Sequence, residues 1–403
     1  MSGPAGETSD ILSSEETRGV EQHREQGHPL HVVVVGAGIV GAAIAYHLAQ
    51  RQVAVTVLER HRPGAGASSH SFAWLNAFGK DPAAYHDLNR RSMDAWRRFA
   101  AGLGTDIGLH WGGELRWVRT PEAAVALRQR VQQLQAWGYP NRMLTAEELQ
   151  RLEPGLVPGH VSAAAFGPID GQVEPLKVID ACLRQARAQH TVVRTESPVN
   201  GLRLAPASDT PQRVHAVQTP QGEVTCDVVV LAGGTATTAL AAMAGISVPQ
   251  QESPGVVART DPRPRLLQHV SILHIPPADA HHPEIHLRQL ADGSLQIGEG
   301  TQESLSRNDS QQHADALLTR ATYCLPALTG AKAIPVPVGY RPMPLDGFPV
   351  VGFTQAVPNL YIALMHSGVT LAPLIGELAA MEIVDRVCVD MLHPYRVERF
   401  AQG

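Results

Sequence analysis

The sequence predicts an α/β protein in two parts, one a buried parallel sheet flanked by helices and one a mixed sheet with helices. Three observations predict it. The chain has 403 residues, more than one compact core usually holds, so two domains or one domain with a large insertion are expected. Near the start, strand, glycine turn, helix and strand follow one another within about 30 residues, the length of a βαβ unit. Between Ser253 and Gly300, short apolar runs alternate with prolines, histidines and charges, which reads as antiparallel strands of a second domain.

The first strand is His31 to Val35, a β-branched run suited to burial on both faces. The turn Gly36-Ala37-Gly38-Ile39-Val40-Gly41 follows at once. Ala42 to Gln50 is rich in Ala and Leu and predicts a helix, and Val53 to Leu58 alternates as a second strand ending at Glu59. Further on, Asp87 to Ala136 has a mostly helical pattern, broken near Gly102 to Gly113, and Asp180 to Gln189 predicts another helix. Asp227 to Leu231 predicts a second buried strand. Leu360 to Leu364 predicts a late strand that runs through His366 into a helix over about Val369 to Val387.

Composition narrows the function. Apolar residues make up 44% and charged residues 18%, as in ordinary globular proteins, and the net charge of -5 argues against a nucleic-acid footprint. Met1 to His28 is polar with no apolar signal core, so residues 1–28 are expected to be a flexible tail. No apolar stretch reaches the length of a membrane span. The four cysteines are far apart and form no CxxC pair, which suggests neither a disulfide framework nor a thiolate metal site. A reducing cytoplasm is the simplest location. His281, His282 and His286 lack a carboxylate or cysteine at ligand spacing, so they are expected in loops and no metal is expected.

The glycine turn carries the first chemical signal. Its first glycine permits a tight turn, its second lets the backbone approach a pyrophosphate, and its third lets helix and strand pack closely. The helix N-terminus then offers free N–H groups and partial positive charge to phosphates. Glu59 lies 23 positions after Gly36, near the spacing at which a carboxylate accepts hydrogen bonds from ribose hydroxyls. These features predict a Rossmann-type dinucleotide-binding domain, but the motif does not choose between NAD and FAD.

Four stretches bear on that choice: Val32 to Arg60, ending in Leu58-Glu59-Arg60; the small-residue loop Gly64-Ala65-Gly66-Ala67-Ser68-Ser69; Asp227 to Gly234, closing on Ala232-Gly233-Gly234; and Gly339-Tyr340-Arg341-Pro342 through Asp346-Gly347 to His366-Ser367-Gly368-Val369-Thr370-Leu371-Ala372-Pro373. In this order they resemble the D-amino-acid oxidase family of FAD enzymes, which includes glycine oxidase and sarcosine oxidase. The resemblance implies a glutathione-reductase-like FAD domain made of residues 29–86, 161–245 and 335–403, with a substrate domain of 87–160 and 246–334. It implies FAD contacts from Gly36, Gly38, Ile39, Val40, Gly41, Glu59, Arg60, Ala67, Ser68, Ser69, His70, Gly233, Ser367, Gly368, Val369 and Thr370. Small side chains at Ala67, Ser68 and Ser69 suit a position beside a flavin or its phosphates. A plain turn there, and a plain helix cap by Ser367 or Thr370, are the structural alternatives.

Arg341 is the candidate for the substrate carboxylate. A guanidinium fork matches a carboxylate with two hydrogen bonds, and in the family the matching Gly-x-Arg-Pro arginine does this. An ion pair with Asp346 is the alternative. His366 is the second catalytic candidate. His70 occupies a place where some relatives bind the flavin covalently, but Ser69 and Ser71-Phe72-Ala73-Trp74 depart from that pattern. No cysteine lies near Arg341 for the other covalent arrangement, so noncovalent FAD is expected.

The implied reaction is oxidation of a C–N bond in an amino acid or N-substituted glycine: hydride goes to flavin N5, water hydrolyses the imine, and oxygen reoxidises the flavin with release of hydrogen peroxide. A dehydrogenase that passes electrons to a quinone or a protein is the alternative, and a non-catalytic flavin-binding subunit is a third reading. The only lysines are Lys80, Lys177 and Lys332, none clearly where a family branch activates oxygen. A homo-oligomer is compatible with all of this.

Overall fold

The computed structural model describes residues 29–205, 211–277, 279, 282–300 and 304–401. The expected tail over 1–28 and His281 lie outside the described residues. The chain opens with β1 (His31–Val35), α1 (Ile39–Gln50) and β2 (Ala54–Leu58), then a single turn α2 (Ala67–His70) and the long α3 (Ala83–Leu103). Next come β3 (Glu114–Val118), α4 (Pro121–Ala136), β4 (Arg142–Leu144), β5 (Ala163–Gly167), α5 (Pro175–Ala188), β6 (Val192–Arg194) and β7 (Val228–Leu231). The second half contributes β8 (Val257–Thr260), β9 (Ile272–Ile275), β10 (Ile285–Gln289), β11 (Leu295–Glu299), α6 (Gln311–Cys324), β12 (Ala333–Pro335), β13 (Val350–Phe353), β14 (Leu360–Leu364) and α7 (Gly368–Asp385).

Two sheets dominate. The first has six strands in the order β13–β14–β7–β1–β2–β6. Its strands are parallel except β13, which runs antiparallel to β14 at the edge. Residues of β1 alternate between two cores: Val32 and Val34 pack under α1, α5 and α7, while Val33 and Val35 pack on the other face. Strands covered on both faces must be apolar at every position, which is why β1 and β7 are almost pure valine. This is the predicted α/β architecture.

The second sheet has eight strands in the order β12–β8–β11–β10–β9–β3–β5–β4. It is antiparallel as expected, apart from the parallel pair β9–β3. Helix α6 closes the core on one face through Leu317 and Ala321. The other face looks toward the first sheet.

Three sequence readings change here. The segment over Asp87 to Ala136 is not only helical, because Glu114–Val118 is a strand of the second sheet. Helix α3 packs Leu88, Trp96, Phe99 and Leu103 into the core shared with α1 and α7, so the division drawn at 87 cuts through an element of the first layer. Strand β5 pairs with β3 and β4, so the division at 161 assigns a second-sheet strand to the wrong side. These misreadings come from long-range packing that local pattern does not report.

The glycine turn shows why α1 can lie so near β1. Gly36 has φ of +104°, and a Cβ there would meet the Ala232 carbonyl oxygen at 2.5 Å. A Cβ on Gly41 would lie 2.1 Å from the Gly36 carbonyl oxygen. Gly41→Ala must therefore push the helix off the strand. Overpacking of this kind costs about 1–3 kcal/mol, so the variant is expected to unfold at lower urea than the parent and to hold its ligand more weakly. An unchanged urea midpoint would mean that helix–strand spacing is not set at this position.

Candidate active site

A cleft of about 630 Å³ lies between the two sheets. Its floor is the glycine turn, where Gly36, Gly38, Ile39 and Val40 reach the surface. Gly38 precedes the first turn of α1, and a Cβ there would meet nothing closer than Ser68 Oγ at 3.6 Å. That space is open to a ligand, in contrast to the filled spaces at Gly36 and Gly41. Gly41 itself does not line the cleft and serves the packing of α1. Ser68 Oγ accepts a hydrogen bond from Ile39 N at 3.1 Å, which ties the small-residue loop to the helix start.

Glu59 is buried at the edge of the cleft. Its Oε2 accepts from Ala37 N at 2.9 Å and its Oε1 from His61 N at 2.9 Å. A carboxylate has about four lone-pair sites, so each oxygen can still accept from a ribose hydroxyl. Arg60, Ala67, His70 and Gly233 also line the cleft. Ser69 does not. Its hydroxyl donates back to the Gly66 carbonyl at 3.0 Å, a local turn bond. His70 Nδ1 lies 3.2 Å from the Gly66 carbonyl oxygen, and the ring sits on Gly339, where a Cβ would come within 2.3 Å of His70 Cβ.

The start of α7 forms the next wall. Ser367 precedes the helix but caps no N–H with its side chain; its Oγ instead pairs with Tyr85 Oη at 2.9 Å. Thr370 Oγ1 donates to the Trp74 carbonyl at 3.2 Å. Neither side chain is a helix cap, so that alternative fails. Ser367, Gly368, Val369 and Thr370 all line the cleft, and the helix start directs its partial positive charge there. His366 lies beside them. Burial, then Lys80 and Arg341, push its pKa well below the usual value, so it is neutral.

Arg341 enters from the second layer. Its Nη1 donates to the Pro254 carbonyl, and its backbone N donates to the Ser253 carbonyl at 2.8 Å. Gly255 leaves room for the guanidinium, since a Cβ there would meet Nη2 at 2.8 Å. Asp346 is engaged elsewhere, by Arg399 through Nε at 2.7 Å and Nη2 at 3.0 Å. The alternative that made Asp346 the partner of Arg341 is therefore set aside.

Several cleft residues were either not placed in the site by the sequence reading, as Lys80 and His286, or not named by it. Lys80 is buried in the wall, within electrostatic reach of His366, although its sequence context does not place it there. His286 is not in a loop; it sits on β10, stacked edge-on to Phe72 at 4.3 Å, and burial brings its pKa down to about 3. Arg116, His274 and Glu284 also face the cleft. A period-two alternation of polar and apolar residues in β3 and β10 was the available signal, but it reads equally well as a solvent face.

The open space over Gly38, the two-layer cleft and the Glu59 carboxylate define a dinucleotide-binding protein. Residues 31–381 match the family DAO, described as FAD dependent oxidoreductase, and the chain belongs to that family. It is therefore an oxidoreductase that uses FAD. It is 25% identical to an opine oxidase subunit of Agrobacterium tumefaciens over 383 residues, covering 93% of this chain and 98% of the relative. It is 27% identical to glycine oxidase of Geobacillus kaustophilus over 370 residues, covering 89% and 94%. The crystal structure of that glycine oxidase superposes with a TM-score of 0.80 over 92% of this chain and 99% of the other, at 26% identity. L-proline dehydrogenase from P. horikoshii shares the fold, with a TM-score of 0.81 at 23% identity over 93% and 99%.

Glu59→Gln provides a test of the ribose role. The amide would set an NH₂ against one of the two backbone N–H groups it now accepts from, and the charge would be lost. Hydrogen bonds to charged groups contribute about 1.5–3 kcal/mol, so FAD affinity is expected to fall roughly ten- to a hundredfold in equilibrium dialysis. Retention equal to the parent would remove Glu59 from the ribose contact.

Proposed function

We propose that this protein oxidises the C–N bond next to a carboxylate in an amino acid or N-substituted amino acid, with oxygen as the electron acceptor and hydrogen peroxide as a product. The observation that carries this reading is Arg341, whose guanidinium stands in the cleft beside the start of α7. Two fixed donors would orient a carboxylate, and orientation of a bound substrate accounts for much of the work that such a site has to do. FAD, when bound, supplies the acceptor for the hydride that leaves the substrate carbon. If the amine binds unprotonated, no side chain needs to act as a strong base.

The other groups support charge placement. Neutral His366 adds no charge next to Arg341. The start of α7 favours negative charge at the cleft wall. Lys80 supports the choice of oxygen, because a buried cation favours the anion formed when oxygen takes its first electron. The relatives named opine oxidase and glycine oxidase point the same way. His70 is proposed as a pocket-lining residue with FAD held noncovalently. Among the described residues no helix is long and apolar enough to cross a membrane.

Acid precipitation of the yellow protein is expected to release intact FAD into the supernatant; flavin that stays with the pellet would point to attachment through His70. Arg341→Lys keeps charge without the fork and is expected to lose part of the catalytic efficiency. Arg341→Ala is expected to lose about 3–5 kcal/mol of transition-state stabilisation, or roughly two to three and a half orders of magnitude in kcat/KM, if a buried carboxylate is left unpaired. FAD content should stay with both variants. Loss of FAD together with activity would make Arg341 structural. Flavin reduction without oxygen uptake would favour a quinone or protein acceptor.

A further inference from the structure

Across the cleft from the glycine turn runs a line of alternating charges. It begins at Arg116, whose guanidinium lies 3.8 Å from the centre of the Phe78 ring. Arg116 donates to both oxygens of Glu114, at 2.5 and 2.7 Å, and Glu114 is fully buried. His274 comes next. Its Nε2 lies 3.3 Å from Glu114 Oε2, off the line of a good hydrogen bond, and its Nδ1 lies 2.8 Å from Glu284 Oε1. The line ends at Glu284.

Glu284 differs from the others in exposure. Arg116 and His274 line the same cleft, but their side chains keep 15% and 5% of their surface open against 37% for Glu284. Only Oε1 is hydrogen-bonded; among the described residues Oε2 takes no hydrogen bond. Arg320, which reaches the neighbouring residue Pro283, is committed to its carbonyl and to Glu299. Burial works against a charge on Glu284, but His274 and then Arg116 hold its carboxyl down to about 2, so it is an anion at any ordinary pH. It is therefore a poor base and a good partner for a cation.

A buried charge line is expensive to assemble, and replacement by apolar side chains often costs nothing. A line that covers its positive end with Phe78 and Glu114 and leaves its negative end the most open has a use if the cleft receives a positive group. The strand geometry says where. Ile285 and Leu287 of β10 point into the core, so Glu284 and His286 share the cleft face, about 7 Å apart along the strand. His286 in turn lies within electrostatic reach of Arg341. A substrate whose carboxylate sits on Arg341 would thus need an arm of several bonds to reach Glu284.

We propose that Glu284 determines specificity by receiving a cationic group several bonds from the reacting C–N bond, so that the substrates are amino acids or N-substituted amino acids with a basic arm. This inference rests on the oxidation of an amino acid proposed above. It predicts that small substrates such as glycine are poor ones, since they reach Arg341 and not Glu284.

The test uses the FAD-loaded protein and anaerobic flavin reduction by matched pairs, arginine against citrulline and lysine against norleucine, in both enantiomers. The parent is expected to prefer the cationic member of a pair by roughly ten- to a hundredfold in efficiency, the ratio that one charge-assisted hydrogen bond of about 1.5–3 kcal/mol supplies. In Glu284→Gln the ratio should fall to near one, and in Glu284→Arg it should drop below one. Glu284→Asp, which keeps the charge one carbon farther away, should retain part of it and serves if the other variants do not fold. A parent that reduces its flavin equally with both members, or a Gln variant with the parent's ratio, overturns this inference and leaves the oxidase reading standing. Failure of every amino acid, and of the N-methyl and N-carboxyalkyl derivatives of the same four, to reduce the flavin overturns both.

Discussion

At Gly41 the helix α1 comes so near β1 that one added carbon would sit 2.1 Å from the Gly36 carbonyl oxygen. From that distance much of the cofactor side follows. With α1 held close, its first turn stands directly over the strand end, and the Gly38 position faces open space. Glu59, at the end of the neighbouring strand, can then take the Ala37 N–H and brace the turn from the side. Ser68 braces it from above through Ile39 N. The turn is therefore fixed by contacts that leave its outer surface bare, which is the condition for binding a pyrophosphate without rearrangement.

The two layers divide the chemistry. The first brings backbone, in its glycines and helix starts, and the Glu59 carboxylate. The second brings polar side chains on or beside a rigid sheet, namely Arg116, His274, Glu284 and the neutral His286. Groups on a sheet hold their spacing better than groups on loops, so a second layer of this kind can measure the length of a bound molecule. The first layer is indifferent to that length.

Legibility in the sequence followed the same division. The glycine turn, Glu59 and the strand at Val228–Leu231 were readable because each depends on neighbours within a few residues. Arg341 was readable as a cleft residue through its fixed local context with Pro342 and through the family resemblance, although setting Asp346 aside as its partner needed the position of Arg399. Lys80, Arg116, His274 and Glu284 were not readable. Their meaning depends on which side of a strand or loop faces the first layer, and alternation alone does not say whether a polar face meets water or a ligand. The same limit misplaced the boundaries near 87 and 161, where α3 and β5 choose their layer by contacts far away in the chain.

The register of the first sheet also bears on how the protein is made. β1 is flanked by β2, close in sequence, and by β7, where Val32 pairs with Val228; β7 in turn pairs with Leu360 of β14. As the chain leaves the ribosome, the valine strand and its glycine turn emerge early, but one edge waits for β7, nearly two hundred residues later, and β7 in turn waits for β14. During that interval an apolar strand has an unpaired edge, and such edges invite association with other chains. Shielding of that edge until β7 is made is therefore a requirement of folding that the stability of the finished sheet does not meet.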